Sequence, residues 1–161
     1  MLQIARAAKR IAGEGYDIVY VCHCPDDRRF IKYLKQEKVN YEFCDMTDWH
    51  PMQSYLFYNN IELVVGMRGH AQMIPFGLNC RIISLGTHKK MRWFLDDIDA
   101  QDWYIDLRVD TDSLEETIVK KFIDINIVNA DITTQRIMDA QKQLFDITKA
   151  NMQTISSILS S

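Results

Sequence analysis

Apolar positions along this chain change period repeatedly, and each change marks an element. Leu2, Ile4, Ala5, Ala8, Ile11 and Ala12 recur at the spacing of one helical face, and Gly13 and Gly15 end the run. Residues 17–22 (DIVYVC) are almost continuously apolar, the pattern of a parallel strand covered on both faces. Asp26 and Asp27 cap a helix reaching about Gln36. Residues 41–44 form a short strand. Pro51 opens a helix that Asn59 and Asn60 close, and residues 61–65 are the next strand.

The alternation continues with a short helix over 71–78 containing Pro75, a strand over 81–85, and a helix over 89–98 with Trp93 and Phe94 on its apolar face. A strand over 103–107 follows. Asp112 or Ser113 then caps a helix with Glu115 and Glu116 in its first turn. Strands alternating with helices predict the α/β class. The expected form is a Rossmann-like three-layer domain over residues 1–129, with a parallel sheet between two helical layers.

Residues 130–161 carry a different pattern. From about Asp131 to Leu159 one helical period runs without Pro or Gly. Met138, Phe145, Met152 and Leu159 recur every seven residues, with Gln141, Thr148 and Ile155 in the alternate positions. A coiled-coil seam calls for stronger apolar residues there. The expectation is a long C-terminal helix packed on the same or a neighbouring domain, with a homo-oligomer through this helix as the alternative. An α/β layer usually opens on a strand, whereas this one opens part-way into a helix. That order suggests the C-terminal half of a longer protein, with an N-terminal domain missing.

Composition narrows the classes. The 161 residues suffice for one domain with a real core, and 25% charged with 47% hydrophobic residues is ordinary for a globular chain. A net charge of −3 gives no nucleic-acid footprint. No stretch is long and apolar enough to span a bilayer, and Arg6, Lys9 and Arg10 interrupt any leader-like start. The expected location is the cytoplasm, or peripherally at the inner membrane surface. Cys22, Cys24, Cys44 and Cys80 form no paired CxxC motifs, so buried free thiols are expected and no metal.

Chemistry concentrates in residues 61–86. The apolar run Leu63-Val64-Val65 ends in Gly66-Met67, and Arg68 and His70 follow, separated by Gly69. This places a guanidinium and an imidazole on a strand-to-helix loop, where α/β folds hold anionic ligands. Arg grips carboxylates and phosphates through a bidentate fork, and His transfers protons near neutral pH. Gly69 allows close approach of the backbone to a ligand, and the helix starting near Ala71 points free N–H groups at an anion. An Arg–His pair that only caps the loop is the alternative.

Other loops give weaker signals. His88-Lys89-Lys90 follows the next strand, at the same sheet edge, where a lysine can neutralise a phosphate or simply be solvated. Asp26, Asp27 and His23 share another strand-to-helix loop. Helix capping is the main reading for the two aspartates, and a contact to a sugar hydroxyl is the alternative. His50, ahead of Pro51, reads as a turn residue.

Arg68-Gly69-His70-Ala71 resembles the Arg-x-His-Ala motif of the polysaccharide pyruvyl transferase family, which follows a buried strand. The family continues with a short helix, a Gly, a strand, and a loop with a Lys before a Phe-Leu pair. Gly77, residues 81–84, Lys90 and Phe94-Leu95 occupy those places here. The resemblance is clearest over residues 61–98. Gly69 stands where the family more often has an apolar residue such as Leu.

The resemblance implies the C-terminal domain of a GT-B-like enzyme. It implies transfer of pyruvate from phosphoenolpyruvate to a sugar as a ketal, in exopolysaccharide biosynthesis, with no metal or redox cofactor. Phosphoenolpyruvate and a saccharide acceptor are the expected partners. Arg68 and His70 are the catalytic candidates. Arg68, Gly69, His88 and Lys90 are the substrate-binding ones. The rivals are a nucleotide-sugar-binding domain of a GT-B glycosyltransferase and a non-catalytic interaction or oligomerisation module.

Overall fold

A computed structural model of the protein describes residues 1–86, 89–109 and 112–159, the side chain of residue 89 excepted. The elements follow the order that the period changes predict. Helix α1 (Leu2–Gly13) leads into strand β1 (Val19–Cys22). A 3-10 turn (Pro25–Phe30) and α2 (Ile31–Gln36) replace the single helix expected after Asp26. Strand β2 (Glu42–Asp45) and α3 (Pro51–Tyr58) follow. Then come β3 (Leu63–Gly66), α4 (His70–Gly77), β4 (Arg81–Gly86), α5 (Lys89–Asp97) and β5 (Tyr104–Asp106). Helix α6 (Leu114–Ile123) passes through a π-helical turn (Asp124–Val128) into α7 (Ala130–Leu159).

The chain is thus α/β with parallel strands and a long C-terminal helix, consistent with a Rossmann-like layout. The single expected sheet is realised as two parallel ladders. One has the order β2-β1, with Val19 opposite Glu42 and Cys22 opposite Asp45. The other has the order β3-β4-β5, with Val64 opposite Ile82 and Leu85 opposite Ile105.

The main core gathers on β4, whose Ile82, Ile83 and Leu85 are fully enclosed. Leu95 of α5, Trp103 ahead of β5, Ile118 and Phe122 of α6, and Ile137 of α7 close around them. A smaller core joins Ala5 of α1 to Leu34 and Val39. β1 and β3 differ from β4. They are as apolar in sequence, yet three of the four residues in each are only half-buried.

Helix α7 divides into two halves. Thr133, Ile137 and Ala140 are buried, and Arg136 holds the helix down through a bidentate pair with Asp102 (2.7 and 3.0 Å). From Phe145 onward every described side chain is exposed, including Phe145, Met152 and Leu159. Among the described residues no helix is long and apolar enough to cross a membrane.

Candidate functional site

The site is built where the loops after β1 and β3 meet. β3 ends on Gly66, and its turn into α4 is tight. A Cβ on Gly66 would lie 2.9 Å from both the Cβ and the carbonyl oxygen of Ala71. Only glycine opposite a small residue permits this approach. The close packing fixes the path of residues 67–70 and so places Arg68 and His70 at the C-terminal edge of the strands. Gly69, expected to let the backbone approach a ligand, has ordinary helical angles (φ −55°, ψ −46°). A Cβ there would meet nothing within 4 Å, so the backbone demands glycine at Gly66 and not at Gly69.

On the opposite loop, Asp27 caps its own 3-10 turn. Its carboxylate accepts the backbone N–H groups of His23 (3.0 Å) and Cys24 (3.1 Å). The same carboxylate receives Arg68, whose Nε and Nη2 donate to Oδ1 at 3.0 and 2.6 Å. Nη2 also donates to Cys24 Sγ at 2.8 Å. Burial opposes ionisation of Asp27, but the guanidinium and the two N–H groups outweigh it and hold the carboxyl below its usual range. The hydrogen bond to Asp27 in turn raises the pKa of Arg68. The Arg68 side chain is 45% exposed and that of Asp27 only 19%, so the pair presents its cationic half to solvent.

A second polar pair adjoins the first. His23 Nε2 lies 2.8 Å from Tyr58 Oη, and the two rings are nearly parallel. Tyr58 ends α3 and is buried. Burial lowers the pKa of His23. The Asp27 charge works against that shift, and the His70 and Arg68 charges add to it. His23 is therefore a neutral imidazole at pH 7, held close to the exposed His70.

The structure therefore brings together Arg68, Gly69 and His70 with His23, Cys24, Asp27 and Tyr58. Lys90 is exposed in the first turn of α5, after the neighbouring strand β4. His88 lies outside the described residues. Asp27 is the cap that its place in the sequence predicts, and it is also the partner of Arg68, which local sequence does not predict. The two are 41 residues apart, and only the parallel course of β1 and β3 joins them. Tyr58 carried no local signal beyond helical spacing.

Chemically, the arrangement offers a half-exposed guanidinium and an exposed imidazole at a helix start. Beside them stands a neutral imidazole able to accept a proton. Among the described residues no three His, Cys, Asp or Glu side chains gather in the manner of a metal site. No family model, no curated protein and no solved structure matches the chain.

Proposed function

We propose that this chain is the C-terminal, GT-B-like domain of a pyruvyl transferase-like enzyme that moves pyruvate from phosphoenolpyruvate to a sugar as a ketal. The observation that carries this reading is the motif Arg68-Gly69-His70-Ala71 on a tight strand-to-helix turn. Arg68 and His70 stand there together at the start of α4, with Ala71 packed on Gly66.

Phosphoenolpyruvate carries a carboxylate and a phosphate. Arg68 binds one of them, and its bond to Asp27 holds the guanidinium in place until the substrate arrives. His70 acts as general acid and delivers a proton to the methylene carbon, leaving positive character on the adjacent carbon. One sugar hydroxyl adds there and loses its proton. His23, a neutral imidazole, suits that acceptance. The carbon–oxygen bond to phosphate then breaks. A second sugar hydroxyl adds and gives up its proton, which closes the ketal. Per turnover one proton enters the methyl group, two leave the hydroxyls, and phosphate departs with the remaining one. Lys90, and His88 ahead of it, would add positive charge from the loop after β4.

Phosphate release from phosphoenolpyruvate with saccharide acceptors is the test. His70→Ala lowers the rate by about 10²–10⁴-fold, the usual worth of a positioned acid. Arg68→Ala weakens phosphoenolpyruvate binding in direct titration. Release and binding unchanged in both variants would remove the reading.

One observation favours a second reading, an interaction module built on α7. Phe145, Met152 and Leu159 repeat along its exposed half. A dimer in solution that dissociates on Phe145→Ser would support it, whereas a monomer by mass measurement counts against it.

A further inference from the structure

Between β1 and β3 the structure holds a cavity of about 1160 Å³. Folded interiors are close-packed, with few voids larger than a water molecule, and a pocket for a drug-sized ligand spans roughly 300–1,000 Å³. An open cleft this large between two parallel ladders is therefore exceptional. Its two side walls are strands, β1 (residues 19–21) on one side and β3 (residues 63–66) on the other. Among the described residues β1 is hydrogen-bonded to β2 alone, and β3 to β4 alone.

The Ile18 carbonyl accepts from Glu42 of β2 and the Cys22 carbonyl from Met46 just after it (2.8 Å each), so in β1 the backbone groups of the even-numbered residues face β2. The backbone groups of Val19 and Val21 then face the cavity. The Glu62 carbonyl accepts from Arg81 (3.1 Å), so in β3 the groups of Leu63 and Val65 face it too. Both walls thus present a row of unpaired N–H and C=O groups to the same space. The Arg68–Asp27 pair shows that the C-terminal ends of both strands lie at one edge, so the two walls run the same way. Between the walls the lining includes apolar side chains, Ile4 and Ile11 of α1, Phe122 of α6, Phe57 and Ala71, with charged residues such as Asp27 and Arg68 also among the lining residues.

We propose that this slot is the receptor for one further β-strand. The strand runs parallel to β1 and β3, bonds to both, and leads directly into α1. The walls specify its chemistry. It needs unpaired backbone on both edges and apolar side chains on both faces, hence a continuous Val/Ile-rich run of about four to six residues. Its connection follows from handedness. α1 leads into the N-terminal end of β1, so α1 itself starts at the C-terminal edge, where a parallel strand in the slot would end. A strand–α1–β1 unit is then the ordinary βαβ crossover. The resulting order, β2-β1-slot-β3-β4-β5, is that of the classic doubly wound sheet, in which winding reverses at the slot strand. The insertion also explains why the apolar residues of β1 and β3 are half-buried while those of β4 are enclosed. The proposal does not depend on pyruvyl transfer.

Amide hydrogen exchange by NMR tests it, first on the chain as it is. The amides of Val19, Val21, Leu63 and Val65 exchange fast, while Tyr20 and Val64, bonded within the ladders, are protected. A five-residue Val/Ile segment joined to Met1 by a Gly-Ser-Asn turn then slows the four fast amides by about tenfold or more. A control segment with Asp at alternate positions does not. If the fused chain precipitates, the same segment is added as a peptide flanked by lysines. Slow exchange of the four amides in the unfused chain would mean that β1 and β3 pair directly, and would overturn the proposal. So would a folded chain whose four amides stay fast with the Val/Ile segment present in either form.

Discussion

Two glycines three residues apart do opposite work. At Gly66 any Cβ collides with Ala71, so Gly66→Ala overpacks the turn and destabilises by about 1–3 kcal/mol. At Gly69 the angles are helical and the space is open. Gly69→Ala is therefore neutral or stabilising by about 0.4–1 kcal/mol, chiefly through the unfolded chain. Urea unfolding of the two variants measures both, and equal effects would refute the account of the turn.

Asp27 gives a pH signature. Its folded carboxyl titrates below the unfolded value of about 3.9. Its contribution to stability is complete above that value and is lost as pH falls through the lower folded value. Urea midpoints followed downward from about pH 6 therefore drop less steeply in Asp27→Asn than in the parent chain. Some slope survives in the variant. Asp45 is held at about 2 by Thr47 and Arg28, and Asp106 at about 2 by Arg108. An unchanged acid slope in Asp27→Asn would show that the Arg68 pair contributes nothing. The sequence made Arg68 and His70 visible as site candidates because they follow an apolar run directly. It did not reveal that Arg68 is engaged, because no spacing rule links a residue to a partner 41 positions away.

At the scale of elements, the hydrophobic period predicts type and order well because each helix and strand buries a defined face. Boundaries moved where local chemistry intervened. Pro25 opens the 3-10 turn, and Asp27 caps it with its own carboxylate before α2 begins. The π-helical turn between α6 and α7 has no signature in periodicity. Helix α7 shows a related limit, since one uninterrupted period covers both a docked and an undocked half. Ile137 is fully buried against the main core, so Ile137→Ala costs about 2–5 kcal/mol. Ile155 lies on the exposed half, and Ile155→Ala stays within about 0.5 kcal/mol. Thermal or urea unfolding separates the two. A large loss at Ile155 would show that the outer half of α7 is covered in solution.

At the scale of the whole molecule, alternation of strands and helices gave the α/β class but could not give strand order. Continuous apolar runs at β1 and β3 predict strands enclosed in the interior of a sheet, yet three of four residues in each are only half-buried, and among the described residues each strand is paired along one edge. The cavity lies where that expectation and the topology part. Its C-terminal mouth is spanned by Arg68 reaching from one ladder to Asp27 on the other. If the proposed anion and the proposed strand both bind, they meet at this contact: an anion that draws the guanidinium away from Asp27 alters the mouth that the strand must fit. Any effect of one on the affinity of the other is then returned by the same factor, so a residue placed for its charge would also report on the filling of the sheet.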